Sequence, residues 1–409
     1  MDVVYPRCCG LDVHKASITA CVLLSEGGRK QKHLRRFGTM TGDLLLLADW
    51  LRELGVTHVA MESTGVYWKP IWHILEGQVE ILLVNAQRLK AVPGRKTDLK
   101  DCEWIADLLQ HGLLRGSFVP PAPVRDLRDL NRNRTILVEQ RASISNRIEK
   151  VLEDANIKLA SVASHVLGQS GRAMLHAMVA GVEDPERLAE MARAKLRNKI
   201  PELRRALEGR LRDPHRFLLR QLLDEVQFLD RKIAEFEQEI ERQNRPFQEA
   251  VTRLMTIPGV DRITPSSLLA EIGPDMRQFP SAGHLASWAG LCPGNHESAG
   301  KRLSGRTRKG SPWLRRVLCQ AAWAASHTKD TYLSALYRRL AAKRGKNRAI
   351  VAVAHSILVV AYCMLSRNQD YQELGGDYFE RLNPNILRRY LVRRLQRLGY
   401  DVALPAAAA

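Results

Sequence analysis

No run of apolar residues in this 409-residue chain approaches the roughly 18 that a membrane-crossing helix needs. The opening MDVVYPRCCG has neither the basic nor the apolar stretch of a secretory leader. The expectation is a soluble, cytosolic protein with no membrane partner. Cysteine pairs are missing too. Cys8, Cys9, Cys21, Cys102, Cys292, Cys319 and Cys363 form no CxxC, and their number is odd. That argues against a zinc site or a disulfide framework, and most of the seven read as buried, unreactive thiols. Acids are scarce in one part only. Residues 251–409 carry 24 Lys+Arg against 10 Asp+Glu, whereas residues 1–124 carry 15 against 13 and residues 125–250 carry 24 against 21. The formal charge of +19 therefore sits mostly in the last part. Charge confined in this way points to a polyanionic partner, a nucleic acid. No base-reading module such as a zinc finger accompanies it. What is present is a hydrophobic content of 45%, enough for ordinary cores, and a length that suggests two or three domains.

The first region, to about residue 120, alternates strand and helix. CCGLDVHKASITACVLLS has the content of two strands joined by a turn, and HLRRFGT suits a third. TGDLLLLADWLRELG predicts a helix with Thr41 as N-cap and Gly55 as its stop. THVAMES and VEILLVNA are further strands, and TDLKDCEWIADLLQHG is a helix between Thr97 and Gly112. This is an α/β domain with a mixed sheet, closed by the Pro-rich SFVPPAPV.

The second region, 121–250, is helical. Leu127, Leu130, Leu137, Ile144, Ile148 and Val151 recur at helical spacing. Leu219, Leu222, Val226, Leu229, Ile233, Phe236 and Ile240 alternate steps of three and four without a break. Such a seam suits a coiled coil or a helical hairpin, within or between chains; a helix packed on its own domain is the plainer alternative.

The third region, 251–365, opens with helix, turn, helix in RLMTIPGVDRITPSSLLAEIG. The turn IPGV resembles a helix-hairpin-helix element whose amides can face a phosphate; a tight αα-turn has the same pattern. From Ser298 to Arg316 come Lys301, Arg302, Arg306, Arg308, Lys309, Arg315 and Arg316, with no acid between them. With Gly300, Gly305 and Gly310 this is a loop or hairpin ahead of a helix near Pro312. An extension, 366–409, ends in a basic amphipathic helix around Tyr390.

Asp12 stands out. Within the strand GLDVHK a carboxylate is costly unless it is paired or binds a cation. Glu62 ends another strand, before the turn at Thr64 and Gly65. Asp98 and Asp101 share one face at the start of a helix. If the strands are neighbours and the helix crosses their ends, four acids converge. Such a cluster suits hard Mg²⁺ or Mn²⁺, two of which can hold a scissile phosphate. Taken singly, Asp98 and Asp101 also suit a helix N-terminus, and Glu62 a strand-end surface.

Asp12 in GLDVHK, Glu62 in MESTGVYW, and Asp98 with Asp101 in KTDLKD closely resemble the Asp-Glu-Asp-Asp motifs of bacterial insertion-sequence transposases of family one-ten, with its eleven-eleven branch. SWAGLCPGNHESAGKRLSGRTRKG and its following helix resemble that family's C-terminal transposase domain. The resemblance implies a RuvC-like N-terminal domain of ribonuclease H fold and a C-terminal transposase domain, so the expected architecture is an α/β RuvC-like domain, the helical coiled-coil middle read from spacing, and a mainly α C-terminal domain. It also implies a serine that attacks the DNA phosphate, at the position of Ser298. Chemistry alone leaves Ser298, Ser304 and Ser311 open, since each can instead bind phosphate or cap a helix. By the same resemblance the partners are donor and target DNA, a structured guide RNA and further copies of the chain, as dimer or tetramer, in a cytoplasmic, nucleoid-associated setting. The long middle region and the extension suit the longer branch.

Lys69, Arg95 and Lys96 lie near the acids and can touch phosphate or simply be solvated. Tyr67 and Trp68 can stack on a base or serve as core. His14 can ligate a metal, though a satisfied strand histidine is the plainer reading. Trp288, Trp313 and Trp323 read as core. Two rival functions remain: a junction-resolving endonuclease using water as nucleophile, and a nucleic-acid-binding scaffold without catalysis.

Overall fold

The computed structural model describes residues 2–26, 29–63, 65–85, 98–294, 296–298, 301–307, 309–382 and 384–402, with backbone alone at 26, 98–100, 296–298, 302–304 and 386. Thr64, Arg95, Lys96, Thr97, Gly300 and Arg308 lie outside the described residues. The chain divides into two compact units, Met1–Val119 and Pro120–Ala409.

The first unit is a five-stranded sheet with helices on both faces. Its strands are β1 (Arg7–Val13), β2 (Ile18–Glu26), β3 (Arg29–Phe37), β4 (His58–Glu62) and β5 (Glu80–Val84), in the order β3-β2-β1-β4-β5. β1, β2 and β3 are antiparallel, whereas β1, β4 and β5 are parallel. Strand alternation sorts the side chains. Cys9, Leu11, Val13, Val59 and Met61 face one side, against α1 (Thr41–Glu53) and α2 (Trp68–Leu75). In α1 the buried Leu44, Leu47, Ala48 and Leu51 follow the three-four spacing of an apolar stripe. Thr41 is not its cap. Met40 is the N-cap residue, and the Asp43 carboxylate accepts a hydrogen bond from the Met40 N–H at 3.3 Å. The first-turn carboxylate reaches back to the N–H of the cap residue itself, whereas a cap hydroxyl at Thr41 would have served an N–H further into the helix. Gly55 does stop the helix, with φ +62°.

Cys8 and Ala60 face the other side, with Val84, against Ile105 and Leu109 of α3 (Asp98–Gln110). The four cysteines of this unit are all buried. Burial, with the neighbouring Asp107 charge adding to it, pushes the Cys8 thiol up to about 12. None of the four is poised as a nucleophile.

The second unit is helical. α4 (Ala122–Asp154) is followed by shorter helices that include α5 (Gln169–Val179) and α6 (Ile200–Leu207), and then by α7 (Asp213–Gln243). α4 and α7 run antiparallel: Arg134, Arg141, Arg147 and Asp154 of α4 pair with Glu237, Asp230, Glu225 and His215 of α7 in descending order. Beneath these ion pairs Ile144, Ile148 and Leu152 pack with Leu219, Leu222, Val226 and Leu229.

Then follow α8 (Gln248–Leu254), α9 (Ile263–Ile272), α10 (Ala282–Trp288), the strands β6 (His296–Ser298) and β7 (Lys301–Ser304), and α11 (Pro312–His327). The last long helices are α12 (Tyr332–Arg344), α13 (Lys346–Arg367) and α14 (Pro384–Arg397). α9 is buried from Thr264 to Ile272. It is bound to α4 by Asn131, which donates to Ser266 Oγ at 3.1 Å and accepts from Ser267 Oγ at 2.9 Å. α13 is long and apolar enough by composition to cross a membrane, but its Ala349, Val353, Ala354, Ile357, Leu358 and Ala361 are buried in this unit's core.

Candidate active site

The register of the first sheet answers why an acid interrupts β1. Leu11 pairs with Met61 in the parallel β1–β4 ladder, so Asp12 and Glu62 are the next residues along and lie side by side on one face. That face is the one covered by α3. The direction of α3 matters. Gln110, at its C-terminal end, accepts from the N–H groups of Val4 and Tyr5 just ahead of β1. A side chain on Gly10 would meet Cys102 O at 2.3 Å and Ala106 N at 2.5 Å. The helix therefore runs against β1, and its N-terminal turn, with Asp98 and Asp101, lies at the end of the strand that holds Asp12 and Glu62.

The electrostatics agree. Burial first, and the Asp12 charge second, push the Cys102 thiol up to about 11. The Asp12 side chain is 15% exposed, and its Oδ2 stands 3.0 Å from His14 Nε2. His14 lies beyond the strand, and its side chain is exposed. It is an acid's partner rather than the satisfied strand histidine expected. Asp101 is half-buried on the helix. The side chain of Asp98 lies outside the described residues. Among the described residues no three His, Cys, Asp or Glu side chains are gathered closely enough to hold an ion. The donors at this end of the sheet are nevertheless carboxylate oxygens, the chemistry that hard divalent cations take. After Glu62 the chain turns at Gly65, φ +55°. Trp68 packs edge-on against Trp72 and belongs with the core, whereas Tyr67 is 40% exposed.

The basic segment in the second unit is a hairpin. β6 and β7 pair antiparallel, with Ser298 opposite Lys301 and His296 opposite Ser304. The side chains of Ser298, Arg302 and Ser304 lie outside the described residues. The root of the hairpin is fixed: Pro293 bridges Thr307, and a side chain on Gly310 would collide with the Ala289 carbonyl carbon at 2.3 Å. Lys301, Arg306 and Lys309 are exposed. Arg315 donates to Thr307 Oγ1 at 3.1 Å. Arg316 pairs with Glu139 and lies over the Trp313 ring at 5.5 Å, so part of its role is structural.

Ser311 separates from the other two serines. It caps α11, accepting from Leu314 N at 3.3 Å, and its hydroxyl donates to Glu271 Oε2 at 3.1 Å. Glu271 also receives Arg132 bidentately, at 2.7 and 2.9 Å, and is 4% exposed. Sequence spacing had no means of finding this network, which spans 139 residues between Arg132 and Glu271. Glu271→Gln is expected to cost about 1.5–3 kcal/mol, because it weakens the charged hydrogen bonds from Arg132, whose side chain is 34% exposed. Ser311→Ala should cost only about 1 kcal/mol as a lost cap. Denaturant unfolding of both variants checks this, and equal losses would refute the buried network.

The IPGV turn packs closely: a side chain on Gly259, φ +82°, would meet Ala325 N of α11 at 2.3 Å. Trp288 packs on Phe279. Trp323 is not core. It is 51% exposed, because the buried stripe of α11 runs through Leu314, Leu318, Ala321, Ala322 and Ala325, leaving Trp323 on the outer side.

Two family models match the chain. One, described as Transposase and of the IS110 DEDD type, covers residues 9–157. The other, described as Transposase IS116/IS110/IS902 family, covers residues 251–338. The transposase for insertion sequence element IS1111A of Coxiella burnetii is 33% identical over 30% of this chain and 35% of its own length. The pilin gene-inverting protein of Moraxella bovis is 32% identical over 29% of this chain and 38% of its own. The transposase for insertion sequence element IS1328 of Yersinia enterocolitica is 26% identical over 64% of this chain and 69% of its own. Against the first of these relatives the match spans about a third of the relative's length.

Proposed function

We propose that this chain, which belongs to the IS116/IS110/IS902 family of transposases, is a DNA transposase and recombinase that cuts and rejoins strands by direct phosphoryl transfer. The observation that carries the reading is the placement of Asp12 beside Glu62 on the face and at the end of the sheet where α3 begins. The strand order β3-β2-β1-β4-β5, antiparallel then parallel, supports a RuvC-like, ribonuclease H reading of the first unit. Asp12, Glu62, Asp98 and Asp101 would hold Mg²⁺ or Mn²⁺, which when bound neutralises charge on the phosphate and its leaving oxygen.

The nucleophile is Ser298. Its Oγ forms a bond to phosphorus as the bond to the 3′ oxygen breaks. The serine proton passes to a base or water, and the 3′ oxygen takes one up and leaves as a hydroxyl. DNA stays linked through phosphoserine, and attack by a new 3′-hydroxyl reverses the step and completes the exchange. Lys301, Arg302, Arg306, Arg308 and Lys309, close to that serine in sequence, supply the positive charge. A structured guide RNA pairs with donor and target DNA, so that base pairing reads sequence while protein holds backbone. The +14 excess of residues 251–409, 24 basic against 10 acidic, supports that division. Ser298 of one subunit serves the acids of another in a dimer or tetramer, whereas the seam of α7 is taken up within the chain, by α4.

A covalent trap tests this. Protein, the element's flanking RNA, Mg²⁺ and end-labelled junction DNA are mixed, denatured and resolved. The expected result is DNA fixed to protein, lost in Ser298→Ala. Cleaved DNA without an adduct would move the reading to a junction endonuclease that uses water.

A further inference from the structure

The second unit holds a cleft of about 1140 Å³, one side of which borders the hairpin that carries the proposed nucleophile. One wall is the hairpin root and the start of α11, with Arg306 and Arg315. The other is the turn from α12 into α13, with Arg344, Asn347 and Arg348. This second wall lies beyond residue 338, where the matched family stretch ends. Four arginines from four elements, the hairpin root, α11, α12 and α13, therefore line one space, and no acid stands among the described lining residues. The floor is different in kind: Leu336, Leu340, Val351 and Ala352 are half-buried apolar side chains, with His355 beside them. Burial pushes the His355 imidazole down, so it is neutral near pH 7 and has one donor and one acceptor nitrogen.

We infer that this cleft binds a single-stranded stretch of nucleic acid, its phosphates on the four arginines and one unstacked base against the apolar floor and His355. A duplex offers its phosphates but keeps its base faces stacked, and it leaves the floor uncovered. A strand with an unstacked base covers both surfaces. The inference rests on reading this unit as one that handles nucleic acid, but it requires no cleavage, so the two can fail separately.

The test uses the full chain without divalent metal and short fluorescent oligonucleotides of one sequence: single-stranded DNA, single-stranded RNA and duplex DNA. R344E/R348E should weaken single-strand binding at least about ten-fold, and should flatten the slope of log affinity against log salt by about 1.4, two contacts at about 0.7 each. R344Q/R348Q should shift binding the same way, less far. R205E/R210E, an equal charge change on and just after α6, should not. A 2-aminopurine in the strand should brighten on binding to the native protein, and His355→Ala should lose the brightening and weaken single-strand binding by about five-fold or more, as roughly 1 kcal/mol for one stacked base requires. Tighter binding of DNA or of RNA in the single-strand arms identifies the source of the strand. Equal loss in the R205E/R210E control, or a native preference for duplex, overturns the inference. A native chain that binds none of the three overturns the broader functional reading as well.

Discussion

Asp12→Asn folds, binds nucleic acid within about two-fold of the native protein, and gives no covalent adduct and no recombined DNA. The reasoning runs from the ladder upward. Asp12 sits in a strand whose flanking Leu11 and Val13 are fully or almost fully buried, so its backbone position is held by the sheet and not by its own side chain. Asparagine keeps the size and can still accept from His14, so the fold loses little. What disappears is the negative charge beside Glu62 at the start of α3. A hard-cation site that loses one of its anionic ligands loses affinity for the ion and the charge stabilisation the ion supplies. A fall of about 10³-fold or more in adduct yield corresponds to about 4 kcal/mol of lost transition-state stabilisation. Adduct formation and fluorescence anisotropy, measured side by side, separate chemistry from binding. A second readout needs no activity at all. Because the Asp12 charge helps push the Cys102 thiol up, Asp12→Asn should lower that thiol from about 11. Full adduct yield in Asp12→Asn would remove this acid from the site.

Asp12 draws the eye because a carboxylate inside a strand needs a reason, and the helix–strand alternation around it follows from period and punctuation. β1, β2, β4, β5, α1, α3 and the long helices all declare themselves by spacing. α2 does not: eight residues with a proline near the start carry too little period to separate from a loop. The cap of α1 was misread because Thr41 has cap chemistry, whereas the backbone turns helical at Thr41 itself and leaves Met40 as the cap residue. Trp323 was misread because a tryptophan on a partly apolar helix says nothing of which side faces the core. Long-range pairings were invisible in principle. The charges of Glu271 and Arg132 look like solvated-face charges until α9 is buried against α4. The second wall of the arginine cleft was likewise hidden, since Arg344 and Arg348 join Arg306 and Arg315 only in three dimensions.

Gly10 is the residue whose importance the strand pattern conceals, and Gly10→Ala should disable the site from below. The added methyl would stand 2.3 Å from Cys102 O and 2.5 Å from Ala106 N, both main-chain atoms of α3. The sheet cannot retreat, because its far side is packed through Cys9, Leu11 and Val59, all fully buried, onto α1 and α2. So α3 must lift. Overpacking of this kind costs about 1–3 kcal/mol of stability. The functional loss is larger, because α3 carries Asp98 and Asp101 while β1 carries Asp12. A displacement of about 1 Å between catalytic groups can cost on the order of 10²-fold in rate. Adduct yield should therefore fall by about that factor in a protein that still melts cooperatively, and Gly10→Val should fall further. Trimming the neighbours gives the sharper result. Ala106→Gly or Cys102→Ala, placed on top of Gly10→Ala, should restore nothing, since the colliding atoms belong to the main chain. Native adduct yield in Gly10→Ala, or rescue by Cys102→Ala, would mean that α3 does not set the distance between the two pairs of acids.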